Sequence, residues 1–193
     1  CELTEPGQAV VRHGVTIIGY TDLASRLAKQ SSTLYSTNLL RLTEELCKTK
    51  VGAINVNTFQ DQDYMLGSIC HPSPEIRQKA LAALIECCEL ARTTNAPAVK
   101  VWLGDGTNYP GQDDLRWRHR RLVEGLTEAY SALPAGVRMY VEYKFYEPAL
   151  YATDVQDWGQ SLNVVRQLGE MAGVCVDTGH HAMGVNIEQI VAL

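Results

Sequence analysis

The stretch CVDTGHHAMGVN, residues 175–186, sets Asp177 three residues ahead of two adjacent histidines, His180 and His181, directly after an apolar run of strand type. Carboxylate oxygens and an imidazole nitrogen together suit hard or borderline divalent cations such as Mg²⁺, Mn²⁺ or Co²⁺. A second group stands in VRMYVEYKF (137–145), where Glu142 and Lys144 are two positions apart. On a strand that spacing places both on one face. Inward-facing Glu and Lys are costly without partners. Two readings account for them: an ion pair lining the fold, or a metal site built from Glu142, Asp177 and His180 with Lys144 beside it. Tetrahedral zinc is disfavoured, because no cysteine joins the group in this reading. Trp102, in AVKVWLG (98–104), is either a core residue or a platform that stacks on the apolar face of a sugar ring.

These residues need a scaffold that brings strand ends together. VTIIGY (15–20), VGAINVN (51–57), AVKVWLG (98–104), VRMYVEYKF (137–145) and GVCVD (173–177) read as strands. Between them run apolar stripes of helical spacing. Leu34, Leu39, Leu42 and Leu46 form one, from Ser32 to Cys47, and Ile76, Ala80, Ala83, Leu84, Cys87 and Ala91 form another. The second opens on Ser73-Pro74-Glu75, a serine cap followed by proline in the first helical position. Leu115, Leu122, Leu126, Ala129 and Leu133 mark a third helix, ended by Pro134 and Gly136. A fourth contains Val155, Trp158, Leu162, Val165 and Leu168, with Asp154 as its expected cap and Gly169 as its end. A last helix starts at Asn186. Strand and helix alternate throughout, so the expected class is α/β with parallel strands and crossover helices. The preferred architecture is an incomplete (β/α)8 TIM barrel of about five strands. In such a barrel the C-terminal strand ends share one mouth, where chemistry sits. An open doubly wound sheet is the alternative. No glycine-rich phosphate loop follows a strand, and the GDG at 104–106 reads as a turn.

Composition narrows the partners. A net charge of −5 in 193 residues argues against a nucleic-acid binder. The longest apolar runs are too short to span a bilayer. The opening residues CELTEPGQ are polar and lack the cationic start of a signal peptide. The six cysteines form no CxxC pair, which reads as free thiols in a reducing cytoplasm. A chain opening on Cys1 reads as an internal piece of a longer protein.

Four collinear stretches, VGAINVNTFQDQDYMLGS, VKVWLGDGTNYPGQ, VEYKFYEPALYATDVQDWG and VDTGHHAMGVNIEQIVA, resemble the bacterial L-rhamnose isomerase family of the xylose-isomerase-like barrel superfamily, from about Val51 to Leu193. The resemblance implies aldose–ketose isomerisation of a small sugar, with two divalent metals, Mn²⁺ foremost and Mg²⁺ or Co²⁺ as alternatives. It implies that Glu142 and Asp177 ligate a structural metal and that His180 ligates a second, catalytic one. Lys144 then assists at the substrate oxygens, Trp102 lines the sugar pocket, and Phe59 is a weaker candidate for a pocket wall. The intact family forms homo-oligomers. The family's other ligands come from strands that follow the DxGHH motif. The expectation is therefore a fragment that does not turn over sugar as it stands. A non-catalytic chain and a related barrel epimerase are the alternatives.

Residues 1–48 differ. GVTIIGYTDLASRLAKQSS and LYSTNLLRL resemble a segment of the alpha subunit of NAD(P) transhydrogenase, in which Tyr20, Thr21, Ser25 and Arg26 correspond to positions near the cofactor cleft. The nucleotide loop is missing, so no NAD binding is assigned. The expected organisation is a foreign strand–helix segment, 1–48, joined near CKTKVG to a partial barrel, 49–193, with an artificial or misassembled junction favoured over a divergent isomerase.

Overall fold

The computed structural model describes residues 4–19, 37, 51–109, 111–147 and 151–192. It divides into two compact units, Cys1–Thr49 and Lys50–Leu193.

In the first unit, β1 (Ala9–Arg12) and β2 (Val15–Ile18) pair antiparallel, with Arg12 opposite Val15. The two residues between them, His13 and Gly14, both have positive φ. This is the tight primed turn whose twist matches that of the strands it joins. The described part of that run, Val15–Ile18, is thus half of a hairpin and not the first strand of a parallel sheet. The sequence reading missed its partner because AVVR is short and mixed, with Val11 68% exposed and little apolar surface to bury. The helix expected over Ser32–Cys47 and the positions Tyr20, Thr21, Ser25 and Arg26 lie outside the described residues.

In the second unit, β3 (Ile54–Asn55), β4 (Ala98–Val101), β6 (Arg138–Glu142) and β9 (Ala172–Cys175) form one parallel sheet in that order. Spatial order follows chain order, with no reversal. That is barrel winding, since a doubly wound sheet reverses at a switch point. The sheet is not closed. It holds four parallel strands among the described residues, against the five or so expected. The crossovers carry α1 (Pro74–Thr94), α2 (Leu115–Ser131) and α3 (Trp158–Leu168), and α4 (Ile187–Ala192) follows β9.

Each helix start has a local cause. Pro74 occupies the first turn of α1 after Ser73. Asp114 caps α2 by accepting from the N–H groups of Arg116 and Trp117. The cap of α3 is Asp157, which accepts from Gln160 N at 2.8 Å, and not Asp154 as the sequence suggested. The buried faces of these helices, among them Leu84, Cys88, Leu122, Leu126, Val164 and Val165, cover the sheet residues Val99, Val101, Met139 and Val141. At the end of α3, Gly169 has φ 148 and sits against the Tyr130 ring, so a side chain there would collide with the phenol. No helix among the described residues is long and apolar enough to cross a membrane.

The loops beyond the strand ends are tied together. The strand β6 stops at Glu142, short of the expected Phe145. A small antiparallel sheet follows, of β5 (Gly106–Thr107), β8 (Tyr151–Thr153) and β7 (Tyr146–Glu147). Asp154 N donates to Asp105 O, and Lys144 N donates to Val155 O. The GDG turn therefore does more than turn. Asp105 is 3% exposed, and its carboxylate accepts from Ser68 N, Ser68 Oγ and Cys70 N. Beside it Arg118, also 3% exposed, grips Asp154 at 2.7 Å, contacts Asp113 and donates to the carbonyls of Leu66 and Gly106. Burial raises the Asp105 carboxyl above the usual aspartate value against the pull of its donors. This network fixes the loop after β4 against α2 and so frames the mouth of the sheet.

Candidate metal centre

Parallel pairing puts the C-terminal ends of β4, β6 and β9 on one side. In register Glu142 stands opposite Cys175, and Asp177 follows two residues later. A carboxylate oxygen of Glu142, one of Asp177 and a ring nitrogen of His180 all lie within 4.8 Å of one another. Glu142 is 5% exposed, whereas Asp177 and His180 are half-buried.

The Asp177 turn builds itself. Gly179 N donates to Asp177 Oδ1 at 2.7 Å, and His180 N donates to the Asp177 carbonyl at 3.0 Å. The first of these holds the Asp177 carboxyl below the usual aspartate value. It leaves Oδ2 facing His180 Nε2 at 3.8 Å. His180 Nδ1 lies 3.0 Å from the Tyr143 carbonyl and 3.2 Å from Glu142 Oε1. A carbonyl only accepts, so Nδ1 carries the hydrogen and the Nε2 lone pair is left for a ligand. Ligating histidines are oriented in this way in metal sites. The residues fit a divalent cation: two oxygen donors and a pre-oriented imidazole, with two carboxylates close enough to repel unless a positive charge joins them. All three donors sit within reach of one ion, although the resemblance divided them between two.

Lys144 does not pair with Glu142. Its Nζ is 2.5 Å from Glu147 Oε1 and 5.3 Å from the centre of the Trp102 ring. The cation on Glu142 is Lys100, with Nζ 2.8 Å from Oε2, and this contact lifts the Lys100 ammonium above its usual value. Sequence reasoning missed Lys100, but a signal was present. Lys100 lies two positions before Trp102 in one strand run, and hence on the same face.

Trp102 and Phe59 meet edge to face, with ring centres 4.7 Å apart. The Trp102 indole N–H is buried and has no hydrogen-bond partner. Phe59 lines a cavity of about 300 Å³ with Thr58, Gln60 and Asn108. His180 and His181 line another of about 380 Å³ with Tyr143, Phe145 and Trp158. The structure thus gathers Glu142, Asp177 and His180 into one cluster, and Lys144, Trp102 and Phe59 into a second. A further trio, Cys70, Asp105 and Asp154, is close enough to suggest a metal. Its carboxylates already accept from Ser68, Cys70 and Arg118, so it fits an internal ion pair better.

The family model of the xylose isomerase-like TIM barrel matches residues 8–193, a span that includes part of the first compact unit. A probable sugar isomerase of Mesorhizobium japonicum is 41% identical over 145 residues, which cover 72% of this chain and 34% of that protein. The chain thus spans about a third of the length of this relative. The alpha subunit of NAD(P) transhydrogenase from Haemophilus influenzae is 52% identical over 62 residues, 32% of this chain and 12% of the subunit. Among solved structures, a protein of Sinorhizobium meliloti 1021 superposes with a TM-score of 0.52 at 23% identity, covering 63% of this chain and 44% of that one. This last likeness concerns the fold alone.

Proposed function

Because the chain belongs to the xylose isomerase-like TIM barrel family, we propose that it carries part of the active site of a metal-dependent aldose–ketose isomerase, acting on a small sugar of the L-rhamnose type. The observation that carries this reading is the convergence of Glu142, Asp177 and His180 within 4.8 Å at the C-terminal end of the sheet, where barrel enzymes do their chemistry. Glu142, Asp177 and His180 would hold the cation, Mn²⁺ foremost. A bound cation would supply Lewis-acid polarisation of substrate oxygens.

The other residues have distinct tasks. Trp102 and Phe59 form an aromatic corner on which the C–H face of a sugar chain would rest. The unpartnered Trp102 N–H would find an acceptor in a substrate hydroxyl. Lys144 would leave Glu147 to face an oxygen that gains negative charge as hydrogen passes between carbons 1 and 2, a positioned cation of the kind that lowers such barriers. Lys100 sets a positive charge against the buried Glu142.

The test is to transplant residues 51–193 in place of the matching third of the Mesorhizobium relative. Conversion of L-rhamnose and other aldoses to ketoses with Mn²⁺ is then measured. Conversion that persists and is lost in His180→Ala and Lys144→Met supports the reading. Conversion indifferent to both substitutions opposes it.

A further inference from the structure

We infer that Tyr143 is a positioning residue that clamps the two adjacent histidines and thereby presents His180 to its ligand. Tyr143 lies between Glu142 and Lys144, just past the end of β6, and is 1% exposed. It holds the 177–181 turn at two points. Its carbonyl accepts from His180 Nδ1 at 3.0 Å. Its hydroxyl shares a hydrogen bond with His181 Nε2 at 2.5 Å, and the two rings meet edge to face at 5.3 Å. Consecutive residues on one turn are thus fixed by the backbone and the side chain of a single buried residue.

The geometry gives the clamp a purpose. The turn's own hydrogen bonds, Gly179 N to Asp177 Oδ1 and His180 N to the Asp177 carbonyl, shape it but do not attach it to the sheet. Thr178 and Gly179 are exposed. The neighbouring β9 is the edge of the described sheet, so no strand beyond it braces the turn among the described residues. What holds it to the end of β6 is Glu142 Oε1 and the Tyr143 carbonyl on His180, and the Tyr143 hydroxyl on His181. A phenol hydroxyl can donate or accept, so it suits either tautomer of His181. His181 Nδ1 is buried and has no partner, so Tyr143 is the polar contact of that ring. If the hydroxyl is removed, His181 is released, His180 drifts from the carbonyl, and its ring hydrogen is no longer confined to Nδ1.

The inference rests on the reading of Glu142, Asp177 and His180 as ligands, and the test separates the two. In the metal-free 193-residue chain, ring ¹⁵N spectra at fixed pH should place the His180 hydrogen on Nδ1. In Tyr143→Phe, which keeps the ring and the carbonyl, they should show a mixture of tautomers. His181→Ala should do the same from the turn itself, without touching the core. In a parallel Mn²⁺ titration each single variant should bind about tenfold more weakly, as losses of outer-shell partners do. The double variant should be no weaker than either single one, because both remove one contact. An unchanged His180 tautomer in both variants overturns the clamp. An absence of Mn²⁺ binding in the parent chain counts against the metal reading, while the ring spectra still decide the clamp. A lower melting temperature with an unaltered tautomer would make Tyr143 a packing residue only, and would also overturn the inference.

Discussion

Lys100 Nζ stands 2.8 Å from Glu142 Oε2, across the neighbouring parallel strands β4 and β6. Glu142 is 5% exposed, and a buried carboxylate left alone is costly. Lys100→Met should therefore destabilise the chain by about 1–3 kcal/mol, discounted because the lysine itself is partly exposed. Added Mn²⁺ should recover much of the loss by supplying the missing positive charge. Thermal melts with and without the ion check this. A variant as stable as the parent in metal-free buffer would mean that the pair does not hold Glu142.

Asp154 and Asp157 should part company on substitution. Asp157 caps α3, so Asp157→Ala should cost about 1 kcal/mol. Asp154→Ala removes the main partner of Arg118, a guanidinium 3% exposed, and should cost about 3 kcal/mol or more. Urea denaturation of both variants makes the comparison. Equal losses would contradict the assignment.

That pair also marks what the sequence could reveal. Helical stripes and apolar runs were enough to place α1, α2, α3 and the strands between them, because period and burial are local properties. Choosing between two acids ahead of one helix was not local. Asp154 is claimed by Arg118, 36 residues away, which leaves the cap to Asp157. The partner of Glu142 was hidden for the same reason. Lys144 is near in sequence, but Lys100 is the lysine that the sheet brings to it. The hairpin at 9–18 was missed because its strands bury little, so alternation carried no signal. The grouping of Glu142, Asp177 and His180 was legible from their types and strand-end positions, whereas the contacts of Tyr143 emerge only from the fold.

The buried thiols should be inert. Burial raises Cys70 well above the usual thiol range and pushes Cys88 up to about 11. A thiol reagent at pH 8 should modify Cys70 and Cys88 far more slowly than in the unfolded chain, with sites mapped by mass spectrometry. Labelling of either at the unfolded rate would contradict the packing of α1.

Asp105 gives a pH signature. Its folded value lies above the ordinary 3.8, first because of burial. The stabilisation that this shift contributes is complete below 3.8 and is lost as pH rises through the folded value. The stability of the parent relative to Asp105→Asn should therefore fall as pH rises from 3.8 through the folded value. Urea midpoints across that range test it, and a relative stability that rises with pH would contradict the assignment.

The most direct test of the metal centre is a Mn²⁺ titration of the chain followed by electron paramagnetic resonance, with Asp177→Ala and Glu142→Gln in parallel. The expected result is a bound ion whose affinity drops by about tenfold or more in each variant. No bound Mn²⁺ in the parent chain, or binding that both substitutions leave unchanged, would contradict it.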